Sequence, residues 1–199
     1  MKYTQIPTNT FQTLQLNAGI LLKGSTAFVP STGTITASAI IGATSGGVSV
    51  NCTPSFLDFG DNVDNCPKNT KELKMIENWE CTISGTFVTV STTLVKLMLG
   101  AADIDATDTT KVTPRIDLAP EDFEDIWFVG DYSDKNGATN GGFVAVHMLN
   151  ALATGGFQMQ TADKEKGQFT VEFTGHVSID AQDVVPMEFY VKAGTAEPA

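Results

Sequence analysis

Basic side chains are scarce in this chain. Its 199 residues hold 12 Lys and Arg against 23 Asp and Glu, a formal net charge of −11, and no run of basic residues. Gripping nucleic acid depends on clustered Lys and Arg that neutralise phosphates and release counterions, so the balance argues against a nucleic-acid binder. Histidine is scarcer still, with two residues, too few for a three-His zinc centre. Cysteine amounts to Cys52, Cys66 and Cys81, spaced by 14 and 15 residues. That spacing fits neither a C-x-x-C pair nor a fully paired disulfide set. The three read as reduced thiols of a cytosolic setting, two of them as core residues.

Long apolar runs are also missing. None approaches the roughly 20 residues that cross a bilayer, and mean hydropathy is close to zero. The opening MKYTQIPTNTFQTLQLNAGILLKG has one early Lys and then mixed polar and apolar residues, unlike the basic start and continuous apolar core of an export signal. The expectation is one domain over residues 1–199 that folds in water without a membrane partner. At this length a chain buries roughly 70% of the surface its unfolded form exposes, so its core needs neither a disulfide framework nor a structural metal.

What the chain does have is acid in one place and alternation almost everywhere. Residues 101–134 contain ten acidic side chains, among them Asp103, Asp105, Asp108, Asp122 and Glu124, against only Lys111 and Arg115. In residues 169–179, Phe169, Val171, Phe173, Gly175, Val177 and Ile179 alternate with Thr170, Glu172, Thr174, His176 and Ser178. That pattern predicts a half-buried antiparallel strand. Trp79, Cys81, Ile83, Gly85 and Phe87 repeat the design. Each of these strands follows another that opens on a glycine pair, Gly46-Gly47 or Gly141-Gly142, which suggests two similar β units in one chain.

Further strands are predicted over 14–22, 126–131, 157–160 and 187–191. Residues 143–149 are apolar on both faces apart from His147, as a central strand covered on both sides would be. A helix is predicted from Thr92 or Thr93 to Leu99, with Ser91 as its cap, Leu94, Leu97 and Met98 as its stripe, and Gly100 ending it. The architecture expected is mainly β: an antiparallel sandwich or barrel with one short flanking helix. Residues 23–45, 59–74 and 101–121 read as loops too long for a compact sandwich unless they carry function or meet a partner.

A search for chemistry yields near misses. Gly19 and Gly24 have phosphate-loop spacing, but Ser25 stands where the Lys belongs. Ser45 ahead of Gly46-Gly47 loosely matches a nucleophile elbow, yet a strand follows where a helix is required. Asp58, Asp61 and Asp64 lack calcium-loop spacing, leaving at most adventitious cation binding. His147 reads as a satisfied core histidine and His176 as a solvated or interface side chain. No nucleophile, base and orienter set emerges, so the expectation is a protein that is not an enzyme and takes no cofactor. A Thr- and Gly-rich β domain with long polar loops suits instead an assembly protein whose partners are other copies of itself.

Four segments resemble the major tail tube proteins of long-tailed bacteriophages. They are the opening MKYTQIPTNTFQTLQLNAGILL; NCPKNTKELK followed by WECTISGTFVTV; FEDIWFVGDYSDKN; and GGFVAVHMLNALATGGFQMQTADKEKGQFTVEFTGH. The resemblance runs over nearly the whole chain and rests on the number and order of segments. It implies a β-sandwich subunit that closes into hexameric rings by strand pairing between copies. Loops and terminal arms would stack the rings into a hollow, non-contractile virion tail. A tape-measure protein would lie inside during assembly and a terminator protein at the end, with DNA crossing the lumen on ejection.

Acidic walls repel phosphate over about 8–10 Å at physiological salt. Part of the acidic stretch, with Asp103, Asp105, Asp108, Asp122 and Glu124 as candidates, is therefore expected to face the lumen. Stacking is expected of the arm at residues 1–13 and of loop 59–74, whose Asp61, Asp64, Lys68, Lys71, Glu72 and Lys74 mix signs as a salt-sensitive contact would. The short tail at residues 193–199 reads as frayed or pinned by a neighbour. A head-decoration protein and a carbohydrate-binding sandwich presenting Trp79 or Trp127 remain open as alternatives.

Overall fold

The computed structural model of the chain describes residues 17–131 and 142–194. The arm at 1–13 and most of the tail at 193–199 lie outside them. In chain order the elements are β1 (Ile20–Lys23), β2 (Phe28–Val29), β3 (Thr34–Ile35), β4 (Thr44–Asp58), β5 (Lys74–Phe87), α1 (Thr92–Leu99), β6 (Ala102–Ile104), β7 (Val112–Pro114), β8 (Glu124–Asp131), β9 (Phe143–Ala153), β10 (Gln158–Gln160), β11 (Gln168–Gly175) and β12 (Met187–Lys192). Eight of these strands form one antiparallel sheet in the order β1-β8-β9-β11-β5-β4, with β10 on β11 and β12 on β9. The fold is mainly β with one short flanking helix, as the alternation indicates.

β9 holds the sheet together because it pairs with three strands. β8 lies along one flank, while on the other β12 takes Phe143–Met148 and β11 takes Ala151–Ala153. Residues from both wings meet in one core: Ile83 and Phe87 of β5, Val171 and Phe173 of β11, Ile126 of β8, Val146 and Met148 of β9, and Leu94, Leu97 and Met98 of α1. A second cluster covers the other face of β1, β8 and β9, where Phe28 of the β2–β3 hairpin packs with Trp127, Val129, Phe143 and Ala145. Central strands buried on both faces lose strict alternation, which accounts for the apolar run at 143–149.

A bulge follows that run. The β8–β9 register shifts between Glu124 and Ile126, opposite Asn150, whose φ is +48°. Asn tolerates this left-handed conformation better than most residues. It donates its backbone N–H to the Asp125 carboxylate at 3.1 Å and its side-chain amide to the His176 carbonyl at 3.2 Å. Before the bulge the even residues Val146 and Met148 face the main core; after it the odd residues Ala151 and Ala153 do.

Helix α1 spans Thr92–Leu99 with the Ser91 Oγ accepting from the Leu94 N–H at 3.1 Å and Leu94, Leu97 and Met98 buried. The predicted strand 169–179 is shorter than expected, ending at Gly175. A Cβ on Gly175 would come within 3.1 Å of the Pro186 carbonyl and 3.2 Å of Met148; beyond it Val177 and Ile179 are exposed. Of the strand predicted over 14–22, residues 17–22 are described, and the strand among them begins only at Ile20. Two of the three long loops contain short hairpins, β2–β3 and β6–β7, whose strands are too brief to register as alternation.

The two glycine-pair units sit symmetrically in the sheet, in the order β9-β11-β5-β4, with their second strands adjacent. Their glycines nevertheless answer different demands. Gly46 and Gly47 have φ of +81° and +85° and form a bulge between Ser45 and Val48, with open space around them. Gly142 is wanted for close approach: a Cβ there would meet the Lys192 carbonyl at 2.4 Å.

Candidate assembly surface

The β4–β5 hairpin is the longest pairing among the described residues, running from Thr44↔Phe87 to Asp58↔Lys74. Near the core it alternates, with Val48, Val50 and Cys52 half-buried and Ser49, Asn51 and Thr53 exposed. β4 tolerates Pro54 because it is an edge strand among the described residues, where a missing N–H costs no ladder bond. Past a second irregularity between Ser55 and Phe56, the hairpin loses its inner face. Phe56, Leu57, Phe59, Val63, Met75 and Ile76 are all exposed, Phe59 at 58% and Met75 at 56%. Apolar side chains left in water at the end of the hairpin make it a candidate contact surface.

The connecting loop is ordered by its own hydrogen bonds. The Asp58 carboxylate accepts from the Gly60 N–H at 2.9 Å and the Asn69 N–H at 3.2 Å. The Lys74 ammonium donates to the Asn69 side-chain carbonyl at 2.7 Å and stands 5.6 Å over the Phe56 ring. Asn65 and Asn69, with φ of +59° and +63°, make the tight turns. Of the residues picked from the sequence, Asp61, Asp64, Lys68, Lys71, Glu72 and Lys74 are exposed on this one loop and its exit; Lys71 and Glu72 pair at 3.4 Å. Sequence reasoning weighed their charges and missed the apolar tip, although Phe56-Leu57-Asp58-Phe59 and Met75-Ile76 break alternation visibly.

The acidic candidates gather around the β6–β7 hairpin without being equivalent. Asp103 and Asp108 are exposed, and Asp105 and Glu124 half-buried. Backbone N–H groups of Thr107 and Asp108 hold the Asp105 carboxyl below its ordinary range, and the Thr110 hydroxyl and then its backbone N–H do the same for Asp108. Glu124 pairs with Lys23 at 2.7 Å. Asp122 is fully buried at its side chain: it accepts from Arg115, which also reaches Asp103 at 2.8 Å, and from the Ala119 N–H at 2.8 Å. Its charge is thus compensated inside the fold; on the hairpin Asp103 shares Arg115 and Asp105 faces Lys111 at 3.9 Å, while Asp108 is exposed.

The only buried histidine among the described residues sits in an aromatic and acidic frame. The His147 ring stacks on Trp127 at 3.9 Å between centroids. Its Nε2 lies 3.3 Å from Asp125 and its Nδ1 lies 3.4 Å from Glu188, which accepts from the Tyr190 hydroxyl at 2.5 Å. Both ring nitrogens face carboxylates, so the cluster ties β8, β9 and β12 together. Trp127 is 3% exposed and donates its N–H to the Ser25 carbonyl, while Trp79 is half-buried; neither forms an open stacking platform. Among the described residues no three His, Cys, Asp or Glu side chains gather as metal ligands, and no helix is long and apolar enough to cross a membrane. No protein-family model matches the chain, and no curated protein matches it.

Proposed function

We propose that this chain is a self-assembling virion subunit, a tail tube protein whose hexameric rings stack into the conduit of a long-tailed bacteriophage. The observation that carries the reading is the β4–β5 hairpin, which leaves the core and exposes Phe56, Phe59, Met75 and Ile76 at its tip. Such a tip is best buried against a second copy of the same chain in the neighbouring ring. Ring closure draws on the edges: β4 and β12 each pair on one side only among the described residues, and unpaired strand edges are templates for another strand. A formal charge of −11 suits a wall past which DNA slides without adhering. In this reading the tape-measure and terminator proteins are the further partners, and the hairpin tip and edges contribute structure rather than catalysis.

Negative-stain electron microscopy of concentrated protein, with a mass measurement on the dilute sample, tests the proposal. Rings or tubes built on six copies are expected. A chain that stays monomeric at high concentration overturns it in favour of a decoration or binding module.

A further inference from the structure

Cys52 on β4 and Cys81 on β5 are direct partners in the antiparallel ladder, and their Sγ atoms lie 3.2 Å apart. Opposed residues in such a ladder have Cα atoms about 4.5–5.5 Å apart, within the roughly 4.4–6.8 Å that a disulfide spans. We infer that these two thiols form a redox-responsive pair that closes to a cross-strand disulfide on meeting a small-molecule disulfide. This inference goes beyond the assembly reading and holds whatever the chain assembles into.

The two sulfurs are unequal, which sets the order of a stepwise exchange. Cys81 is fully buried in the main core, and burial, followed by the Cys52 contact, pushes its thiol up to about 12. Cys52 is half-buried, the more exposed of the two, and is assigned the first attack. Exchange proceeds by thiolate attack through a mixed disulfide. Cys52 loses its proton to water, and its thiolate attacks one sulfur of the small disulfide, breaking that S–S bond and releasing one small thiolate. Cys81 then gives up its proton and attacks the Cys52 Sγ, forming the Cys52–Cys81 bond and expelling the second small thiolate. The two released thiolates take up the two protons. The protein is oxidised by two electrons, and the small disulfide is reduced to two thiols. Cys66 stands apart on the connecting loop, its Sγ 3.6 Å from both the Thr70 hydroxyl and the Pro67 carbonyl.

Position gives the bond a consequence. The pair lies in the regular stretch of ladder between the irregularities at Ser45/Val48 and Ser55/Phe56. A covalent link there fixes the register just inside the point where the hairpin leaves the core, tethering the exposed tip.

The test treats the reduced full chain with oxidised glutathione, quenches with an alkylating reagent, and maps thiols and cross-linked peptides. Two of the three thiols are expected to disappear together, with one peptide joining Cys52 to Cys81 and Cys66 still alkylated. A Cys66→Ser chain should behave identically, and a Cys52→Ser chain should yield no linked peptide. A glutathione adduct that persists on Cys52, a link through Cys66, or full alkylation of Cys52 and Cys81 after treatment would each overturn the inference.

Discussion

At the scale of single residues, the helix cap and the Asp125 carboxylate give the sharpest expectations. Ser91 supplies an acceptor to the Leu94 N–H, one of the helix-start donors without a partner inside the helix. Replacing Ser91 with Ala should cost about 1 kcal/mol in urea unfolding, whereas Gly at the same position should cost only a few tenths; equal losses would mean the cap contributes through something other than that bond. Asp125 is held below its ordinary 3.8, first by the His147 imidazole and then by the Asn150 backbone N–H. A carboxyl with a lowered folded pKa stabilises the protein fully above its unfolded value and loses that contribution as pH falls through the folded one. The acid limb of stability below about pH 4 should therefore flatten in Asp125→Asn. Urea midpoints measured from pH 7 down to pH 2 would check it, and parallel curves for the two chains would show that the contact is energetically silent.

At the scale of elements, the hairpin tip separates folding from assembly. Phe59 and Met75 contribute little to the core, being 58% and 56% exposed, so Phe59→Asp with Met75→Asp should shift monomer stability by no more than about 0.5 kcal/mol per change. The same pair places two charges in the proposed contact, where desolvation without a partner is costly, and should abolish tubes seen by electron microscopy. Tubes that survive would remove the tip from the interface. Legibility from sequence follows the same division. Helix α1 was readable residue by residue because cap, stripe and C-terminal glycine agree, and β5 and β11 because one face of each is buried and the other wet. The short hairpins β2–β3 and β6–β7 fall below the length at which a period can be recognised. The bulge at Asn150 escaped notice because it depends on a register against β8 that no local pattern contains. The exposed tip was missed because its residues look like core until the structure shows nothing covering them.

At the scale of the whole molecule, the question is where the negative charge points. The fold sorts the acidic candidates by their partners: Asp122 is buried against Arg115, which also reaches Asp103; Glu124 pairs with Lys23; and Asp105 faces Lys111 at 3.9 Å, while Asp108 is exposed at the turn of the β6–β7 hairpin. Charged loops stay in water, and in a tube water exists both inside and outside, so exposure alone does not choose. Repulsion of DNA acts only within about 10 Å at physiological salt, so carboxylates on the outer wall would do nothing for a genome in the lumen. An Asp108→Cys substitution, made in a chain whose Cys52 and Cys66 are Ser, gives one accessible thiol at the hairpin for a maleimide-linked gold particle. Labelling subunits before assembly should place the gold along the central channel of the tubes. Gold decorating the outer surface would assign the β6–β7 hairpin to the exterior and require the conduit's acidic lining to come from other residues.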